Sequence, residues 1–459
     1  MIRMPSYMQI LMLLALIAYD IPVVCGENDE DETFVVIKAG RVITLAGEEH
    51  INGEIVMVDG KIRLVGRNLE YPKTAKVIDA RRKVVMPGMI LCHSRWQLPS
   101  YSRSGVHGDR SVAKEIYLDE IDFQPLLKAG FTAVCYYPAG TGIPGPSVVY
   151  RTAGDKEQRE LGEAYLRVTM SKPQRDKKVL REAVDKARKE IEKVNKARKE
   201  WEAKQKKEKE AAAKKKKEEK ETAAKKKEKE SSEEGETKKT PEKKDDKGNA
   251  KGEEKKPETF TPPKIDPAVK PIVDWIRDKK GPSLLFELSR ASDLRHLDDV
   301  LKRASELPNT LLYLSTRSPT RFPSDYHHIV KDLGMRKASV LLHPEISRLP
   351  HTVTRYNLPA ELVLARCTVA IVPASEIPSE LANIRVRLAE LVRSGLSRGD
   401  ALRAVTLNVA KVVGMEDRLG TIVKDKDADF IVLDGDPLAP VTRVTCVIIH
   451  GEIVWEAPE

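Results

Sequence analysis

The feature that most constrains the fold is an alternation, in the middle of the chain, of short apolar runs with helix-like stretches. The runs are long enough for buried strands, and helical periodicity follows each of them. They are Met89–Cys92, Ala133–Tyr137, Tyr165–Met170, Ser283–Leu288, Thr310–Leu314, Ser339–Leu342 and Thr368–Val372. Such alternation predicts βα units. We therefore predict an α/β fold with a (β/α)8 TIM-like barrel, in which we find no eighth strand between Met170 and Ser283.

Both ends of the chain are instead rich in β-forming residues. Residues 33–85 contain three strand-like runs, and Asp59-Gly60 between two of them is a hairpin signal. Residues 427–455 have the same texture. We predict that the two ends, 27–85 and 414–459, form one small composite β domain. Between them we predict a barrel built from residues 86–171 and 263–413, with an insertion at 172–262, and we assign residues 1–26 to a signal peptide.

The net charge of +10 resides in one segment. Between Ser171 and Phe260, 33 basic residues face 23 acidic ones, and the rest of the chain is neutral. The segment begins with apolar positions at helical spacing, from Leu180 to Trp201, which predict an amphipathic helix that packs on the body or pairs in a coiled coil. Low-complexity Lys/Glu sequence follows, too polar to fold compactly. A protein or an anionic surface could bind this arm. Nucleic acid is disfavoured, because no aromatic residues interleave with the lysines.

The first 26 residues resemble a secretory signal, with Arg3 before an apolar run from Ile10 to Ala18. The run is too short to span a bilayer as a helix, so we predict no transmembrane helix in the mature chain. We predict export, with cleavage near Gly26, and rank a lipid anchor at Cys25 lower. The other four cysteines are widely spaced and are predicted to be buried thiols, although an exported protein permits disulfides.

Two motifs carry a family resemblance. The first runs from Val84 to Arg95 and contains Pro87-Gly88 followed by His93. The second runs from Gly395 to Lys411 and continues through Leu419–Ile422 to Asp434. Together they resemble the two ends of the imidazolonepropionase-like amidohydrolases, within the amidohydrolase superfamily. The resemblance implies a metal-dependent hydrolase of non-peptide carbon–nitrogen bonds, with metal ligands at the ends of the barrel strands.

The implied ligand set is degenerate in this sequence. His93 is retained, but Arg95 replaces the second histidine and has no lone pair to give. Glu287 and Glu376 stand near two further ligand positions, so His93, Glu287 and Glu376 are the candidate metal ligands. We favour instead an Arg95–Glu287 salt bridge across the barrel mouth, without a metal. Arg95 and His343 are candidate substrate-binding residues; catalytic residues are not assigned.

We therefore predict an exported amidohydrolase-family protein that is catalytically impaired, that is, a pseudoenzyme. The alternative is a non-catalytic ligand-binding or scaffold protein that uses the barrel mouth and the charged arm. A small amide or cyclic amide is the expected ligand. We predict no cofactor, with one zinc-like divalent metal as the alternative. The glycine-rich stretch Gly140–Pro146 is predicted to be a rigid loop over the barrel mouth.

Overall fold

The computed structural model describes residues 33–99, 102–170, 173–230, 259–278, 282–301, 310–315, 325–349 and 352–458. The predicted signal peptide, the anchor position Cys25 and much of the polar end of the insertion lie outside the described residues. Two eight-stranded sheets dominate the described residues. One is the predicted barrel, and the other draws its strands from both ends of the chain.

The strands are β1 (Phe34–Ile43), β2 (Glu49–Ile51), β3 (Glu54–Val58), β4 (Lys61–Gly66), β5 (Lys76–Pro87), β6 (Met89–Ser94), β7 (Arg103–Val106), β8 (Phe131–Tyr136), β9 (Gly140–Ile143), β10 (Gly145–Arg151), β11 (Glu160–Thr169), β12 (Ser283–Leu288), β13 (Thr310–Leu314), β14 (Ser339–Leu342), β15 (Ser347–Arg348), β16 (Arg355–Tyr356), β17 (Thr368–Ile371), β18 (Phe430–Leu433), β19 (Val444–Ile449) and β20 (Glu452–Glu456). The α-helices are α1 (Gln124–Ala129), α2 (Lys156–Arg159), α3 (Pro173–Glu230), α4 (Lys270–Arg277), α5 (Ala291–Leu301), α6 (Val330–Met335), α7 (Leu358–Leu364), α8 (Pro378–Ala382), α9 (Ile384–Arg393), α10 (Arg398–Arg403) and α11 (Leu407–Val412). Short 3₁₀ helices in the described ranges cover Val112–Glu115, Leu118–Glu120 and Tyr326–His328.

The terminal sheet has the strand order β20-β19-β18-β5-β1-β3-β4, with β2 paired to β1. Strands β1 and β5 run parallel, and the other pairs in this sheet are antiparallel. The contact between β18 and β5 joins the two ends of the chain, with Phe430 opposite Pro87. Buried residues such as Ile37, Val85 and Phe430 form its own core cluster. Both chain ends therefore contribute to one sheet.

The barrel sheet has the order β17-β14-β13-β12-β11-β10-β8-β6. Successive side chains in a strand point to opposite faces, and the buried residues divide accordingly. Ile90, Cys92, Ala133 and Cys135 belong to a cluster inside the barrel. Their sequence neighbours, such as Leu91, pack outward in the main core with the surrounding helices. The predicted α/β barrel class is confirmed.

The eighth strand is β10, which the sequence analysis did not find. It is antiparallel to both neighbours, β8 and β11. The connection from β8 to β10, residues 137–144, is too short for the helical crossover that a parallel strand needs. The prediction of a rigid loop over Gly140–Pro146 is wrong, because Gly140–Ile143 pairs with β7 and Pro146 lies within β10. Pro146 and the glycines masked the strand pattern.

The two outer strands of the barrel sheet, β6 and β17, are bridged by a segment that is not a strand. The backbone N–H of Ile90 donates to the carbonyl oxygen of Val405 (3.0 Å), and that of Ile371 donates to the carbonyl oxygen of Ala404 (2.8 Å). This segment follows α10, within the second family-like motif. It continues into Thr406, whose hydroxyl donates to the carbonyl oxygen of Leu402 (2.7 Å). The barrel closes through these bonds.

Helix α3 provides the parallel crossover from β11 to β12. Its first turns bury Leu180, Val184 and Ala187 in the main core, so this stretch of the predicted insertion belongs to the helical layer of the barrel. Of the two predicted arrangements, the described residues have the one packed on the body. Further along this helix, the ring centroids of Trp201 and Phe260 are 5.7 Å apart. The described helices include none that is long and apolar enough to cross a membrane.

A buried ionic cluster links the barrel to the terminal sheet. Arg151, at the end of β10, donates to Asp427 (2.5 Å) and to Asp429 (3.2 Å), and all three side chains are at most 3% exposed. Asp427 also accepts from Arg418 (2.8 Å). Burial raises the pKa of Asp429, while Arg151 acts in the opposite direction. The arginine therefore offsets the cost of burying two carboxylates.

We expect Arg151→Ala to lower the free energy of unfolding by about 3–5 kcal/mol, because it leaves two buried carboxylates without their shared cation. Urea unfolding followed by circular dichroism measures this change. Arg81→Ala is the control, since Arg81 pairs with Asp79 (3.3 Å) on the surface and its loss should have little effect. A small and equal loss of unfolding free energy in both variants would show that Arg151 does not stabilise the buried carboxylates.

Candidate functional site at the barrel mouth

The candidate site lies where the carboxyl ends of the parallel barrel strands meet, as in other barrels of this type. The strands and the residues just after them place aromatic and charged side chains there. These are His93 (β6), Tyr137 (after β8), Arg167 (β11), Glu287 (β12), Tyr313 (β13) and His343 (after β14). The predicted residues Arg95 and Glu376 follow β6 and β17.

His93 is buried among tyrosines. Its ring stacks on Tyr137, with centroids 3.9 Å apart and planes 8° apart, and lies 4.7 Å from Tyr313. Its Nδ1 is 2.9 Å from the hydroxyl of Tyr165. Its backbone φ of 56° interrupts the register between β6 and β8. Burial holds the pKa of His93 well below its usual range, and the positive charge of Arg167 lowers it further, so the ring is neutral.

Arg167 is the central cation of the mouth. Its guanidinium donates to Glu287 (2.7 Å) and to the carbonyl oxygens of Pro138 (3.2 Å) and Gly140 (3.1 Å). It also lies 4.7 Å from the ring centroid of Tyr137. The predicted Arg95–Glu287 pair is therefore wrong. The partner comes from the neighbouring strand, because Arg167 on β11 faces the barrel interior beside β12.

Arg95 is held by backbone groups instead. Its guanidinium donates to the carbonyl oxygens of Tyr137 (2.8 Å) and Pro99 (2.5 Å), and its backbone N–H donates to Glu376 (2.8 Å). Both guanidinium bonds thus go to neutral oxygen atoms. Burial lowers the pKa of Arg95, because a half-buried cation loses part of its hydration. An anionic partner beside the guanidinium would therefore stabilise its charged form.

His343, the second candidate for substrate binding, has both ring nitrogens engaged. Nδ1 is 3.0 Å from the carbonyl oxygen of Val372, so Nδ1 carries the proton and donates. Nε2 is 3.0 Å from the hydroxyl of Tyr313 and accepts from it. A ligand at the mouth would therefore contact Tyr313, whose hydroxyl binds His343, rather than His343 itself.

The donors predicted for a divalent metal do not fit one. His93 Nδ1 meets the Tyr165 hydroxyl, Glu287 pairs with Arg167, and Glu376 accepts from the backbone of Arg95. Within the described ranges, no three or more His, Cys, Asp or Glu side chains are grouped so as to hold a metal ion. Arg167, which already pairs with Glu287, would repel a metal cation at that carboxylate. His93, Glu287 and Glu376 thus do not form a ligand set here.

The sequence analysis missed Arg167 and the tyrosines around His93. A signal existed, because Tyr165, Arg167 and Thr169 alternate along β11 and so share one face. A separate cavity of about 580 Å³ lies beside β11 and α4, lined by Glu163, Lys270 and Asp274 among others. None of the predicted site residues lines it.

Comparison with known proteins agrees with this architecture. Residues 385–455 match the profile of the amidohydrolase family. An amidohydrolase from Thermotoga maritima shares the fold, with a TM-score of 0.66 over 92% of this chain and 100% of that one, at 18% identity. The carboxyl end of the chain thus resembles the amidohydrolase family, and the barrel has the fold of an amidohydrolase structure.

Two curated relatives match over short stretches. A dihydroorotase from Anaeromyxobacter dehalogenans is 33% identical over 104 residues, which are 22% of this chain and 21% of the relative. An N-acetylglucosamine-6-phosphate deacetylase from Bos taurus is 42% identical over 69 residues, 15% of this chain and 16% of the relative. The chain thus spans about a fifth or less of the length of these relatives.

We expect Arg167 and Glu287 to be energetically coupled. A double-mutant cycle of Arg167→Met and Glu287→Gln should give a coupling of about 1–3 kcal/mol in the free energy of unfolding, because each single change leaves a largely buried charge unpaired. The cycle of Arg95→Met with Glu287→Gln should instead be additive to within about 0.5 kcal/mol. Coupling in the Arg95–Glu287 cycle and none in the Arg167–Glu287 cycle would show that Glu287 pairs with Arg95 instead of Arg167.

Proposed function

We propose that this chain is a non-hydrolytic member of the amidohydrolase superfamily, whose barrel mouth binds a small ligand. The observation that carries the proposal is the Arg167–Glu287 pair. Glu287 was the candidate ligand on the fifth barrel strand, and here it neutralises a guanidinium. Hydrolysis of an amide by this type of barrel depends on a metal to polarise the carbonyl group and activate water. Because Arg167 and Glu287 pair with each other, they neither polarise a carbonyl group nor activate water.

The ligand we propose is a small amide that also carries a carboxylate or phosphate group. Arg95 supports this class, because its planar guanidinium is fixed by two carbonyl oxygens beside the ring of Tyr137. Arginine suits planar anions, to which it donates two hydrogen bonds at once. One of the similar proteins is named for an N-acetylated sugar phosphate, an amide with an anionic group. The tyrosines add apolar surface for the remainder of the ligand.

Metal content tests whether the chain is non-hydrolytic. Protein purified without chelators and then incubated with zinc should carry no stoichiometric metal by elemental mass spectrometry, and His93→Ala should not change the result. Arg95→His alone should not produce hydrolysis of acyl amino acids or cyclic amides, since the other ligand positions remain unsuited. Stoichiometric zinc that is lost in His93→Ala would refute the proposal.

Thermal shift measurements test the ligand class. Among N-acetyl amino acids, carboxylated cyclic amides and N-acetylated sugar phosphates, at least one class should raise the Tm of the wild type, since a ligand at about 100 Kd adds about 2.7 kcal/mol. The shift should vanish in Arg95→Met. Arg385→Met is a matched control, because Arg385 also donates to two carbonyl oxygens (Pro437 and Thr442) but lies elsewhere. An equal shift in wild type and Arg95→Met would exclude Arg95 from the binding site.

We also propose that the chain is exported. This rests on the charged, apolar and small-residue pattern of residues 1–26. Amino-terminal sequencing of the chain secreted from a bacterial host should begin near residue 27. A chain that keeps Met1 and stays in the cytosol would contradict export, and a lipid-modified Cys25 would favour an anchored form.

A further inference from the structure

Two cysteines lie side by side in the barrel. Strands β6 and β8 run parallel, with Ile90 opposite Ala133 and Leu91 opposite Val134. The register shifts after Leu91, so that Cys92 and His93 together lie across from Cys135 before Ser94 pairs with Tyr136. Neighbouring strands lie about 4.7–4.9 Å apart. Disulfides join Cα atoms about 4.4–6.8 Å apart, so the spacing of adjacent strands is within their range.

The two side chains also point the same way. Both belong to the cluster inside the barrel, together with Tyr165, and both residues are completely buried free thiols. Burial raises the pKa of both thiols, the neighbouring Cys135 raises that of Cys92 further, and the hydroxyl of Tyr165 acts on both in the opposite direction. The same hydroxyl meets Nδ1 of His93. Among the cysteines of the described chain, Cys367 lies before β17 and Cys446 lies in the terminal sheet, so neither has this placement.

We propose that Cys92 and Cys135 form a disulfide when the chain folds in the presence of a disulfide oxidant. The bond would join the first two barrel strands directly below His93. With oxidised glutathione as oxidant, the thiolate of one cysteine attacks the glutathione disulfide and releases one glutathione thiol. The thiol of the second cysteine then loses its proton, attacks the mixed disulfide and releases the second glutathione. Two protein thiols are oxidised and one glutathione disulfide is reduced.

Burial determines when this reaction occurs. Glutathione is a tripeptide and does not reach a thiol that is sealed inside the folded barrel. The bond therefore forms before β6 and β8 are closed in by the other strands, and once formed it is protected from reduction. Such a bond closes a long loop, residues 92–135, which restricts the unfolded chain and stabilises the folded one.

The test is the disulfide state of the full chain after folding. The chain is unfolded in urea with reductant and refolded in a mixture of reduced and oxidised glutathione. Free thiols are blocked with iodoacetamide in urea, which exposes the buried ones, and the protein is digested with trypsin without reduction. We expect a linked pair of peptides, residues 84–95 with 129–151, that separates on reduction. The oxidised protein should melt roughly 5 °C higher than the reduced one.

Variants separate this bond from other pairings. Cys135→Ser should lose both the linked peptides and the gain in Tm, whereas the double variant Cys367→Ser/Cys446→Ser should keep both. If the chain does not refold from urea, the same digest is applied to protein made by cell-free synthesis in the glutathione mixture. Folded, oxidised protein in which Cys92 and Cys135 are both alkylated would overturn the proposal. So would a bond from either residue to Cys25, Cys367 or Cys446.

Discussion

The arrangement of the whole structure depends on one buried arginine. Arg151 ends β10, the single antiparallel strand of the barrel sheet, and binds Asp427 and Asp429 at the start of the terminal sheet strand β18. Lys61 in β4 and Arg418 also pair with Asp427. A carboxylate from the last stretch of the chain thus meets cations from the barrel, the first sheet strands and the connecting segment. These ion pairs thus link the barrel to the terminal sheet, in which the β18–β5 pairing joins the two chain ends.

The same kind of interaction dominates the barrel mouth with a different effect. In the terminal sheet, buried charges join separate regions of the chain, whereas at the mouth Arg167 and Glu287 satisfy each other inside the barrel. His93 is then left neutral between tyrosine rings. Arg95, whose guanidinium is fixed beside the ring of Tyr137, is suited to holding an anion in place. The fold is shared with an amidohydrolase structure, and we propose that the mouth serves recognition.

The sequence predicted the barrel well where strands alternate with helices, because each buried run has a clear length and period. It failed at β10, where Gly145 and Pro146 at the start of the strand and a short connection concealed an antiparallel strand. It placed Arg95 and Glu287 correctly at the mouth, since strand ends gather there. It missed Arg167 because that residue lies within β11 rather than after its end. Pairing between distant strands decides which arginine reaches Glu287, and no local pattern contains that information.

The closure of the barrel by Ala404 and Val405 has a mechanical consequence. Elsewhere in the ring, neighbouring strands pair directly with each other, but β6 and β17 are joined through carbonyl groups of a segment outside the sheet. A ladder resists separation cooperatively, whereas isolated bonds break one at a time. The weakest junction of the barrel therefore lies between β6 and β17, near His93. The amides of Ile90 and Ile371 form its hydrogen bonds. Local opening of the barrel therefore costs least at this junction.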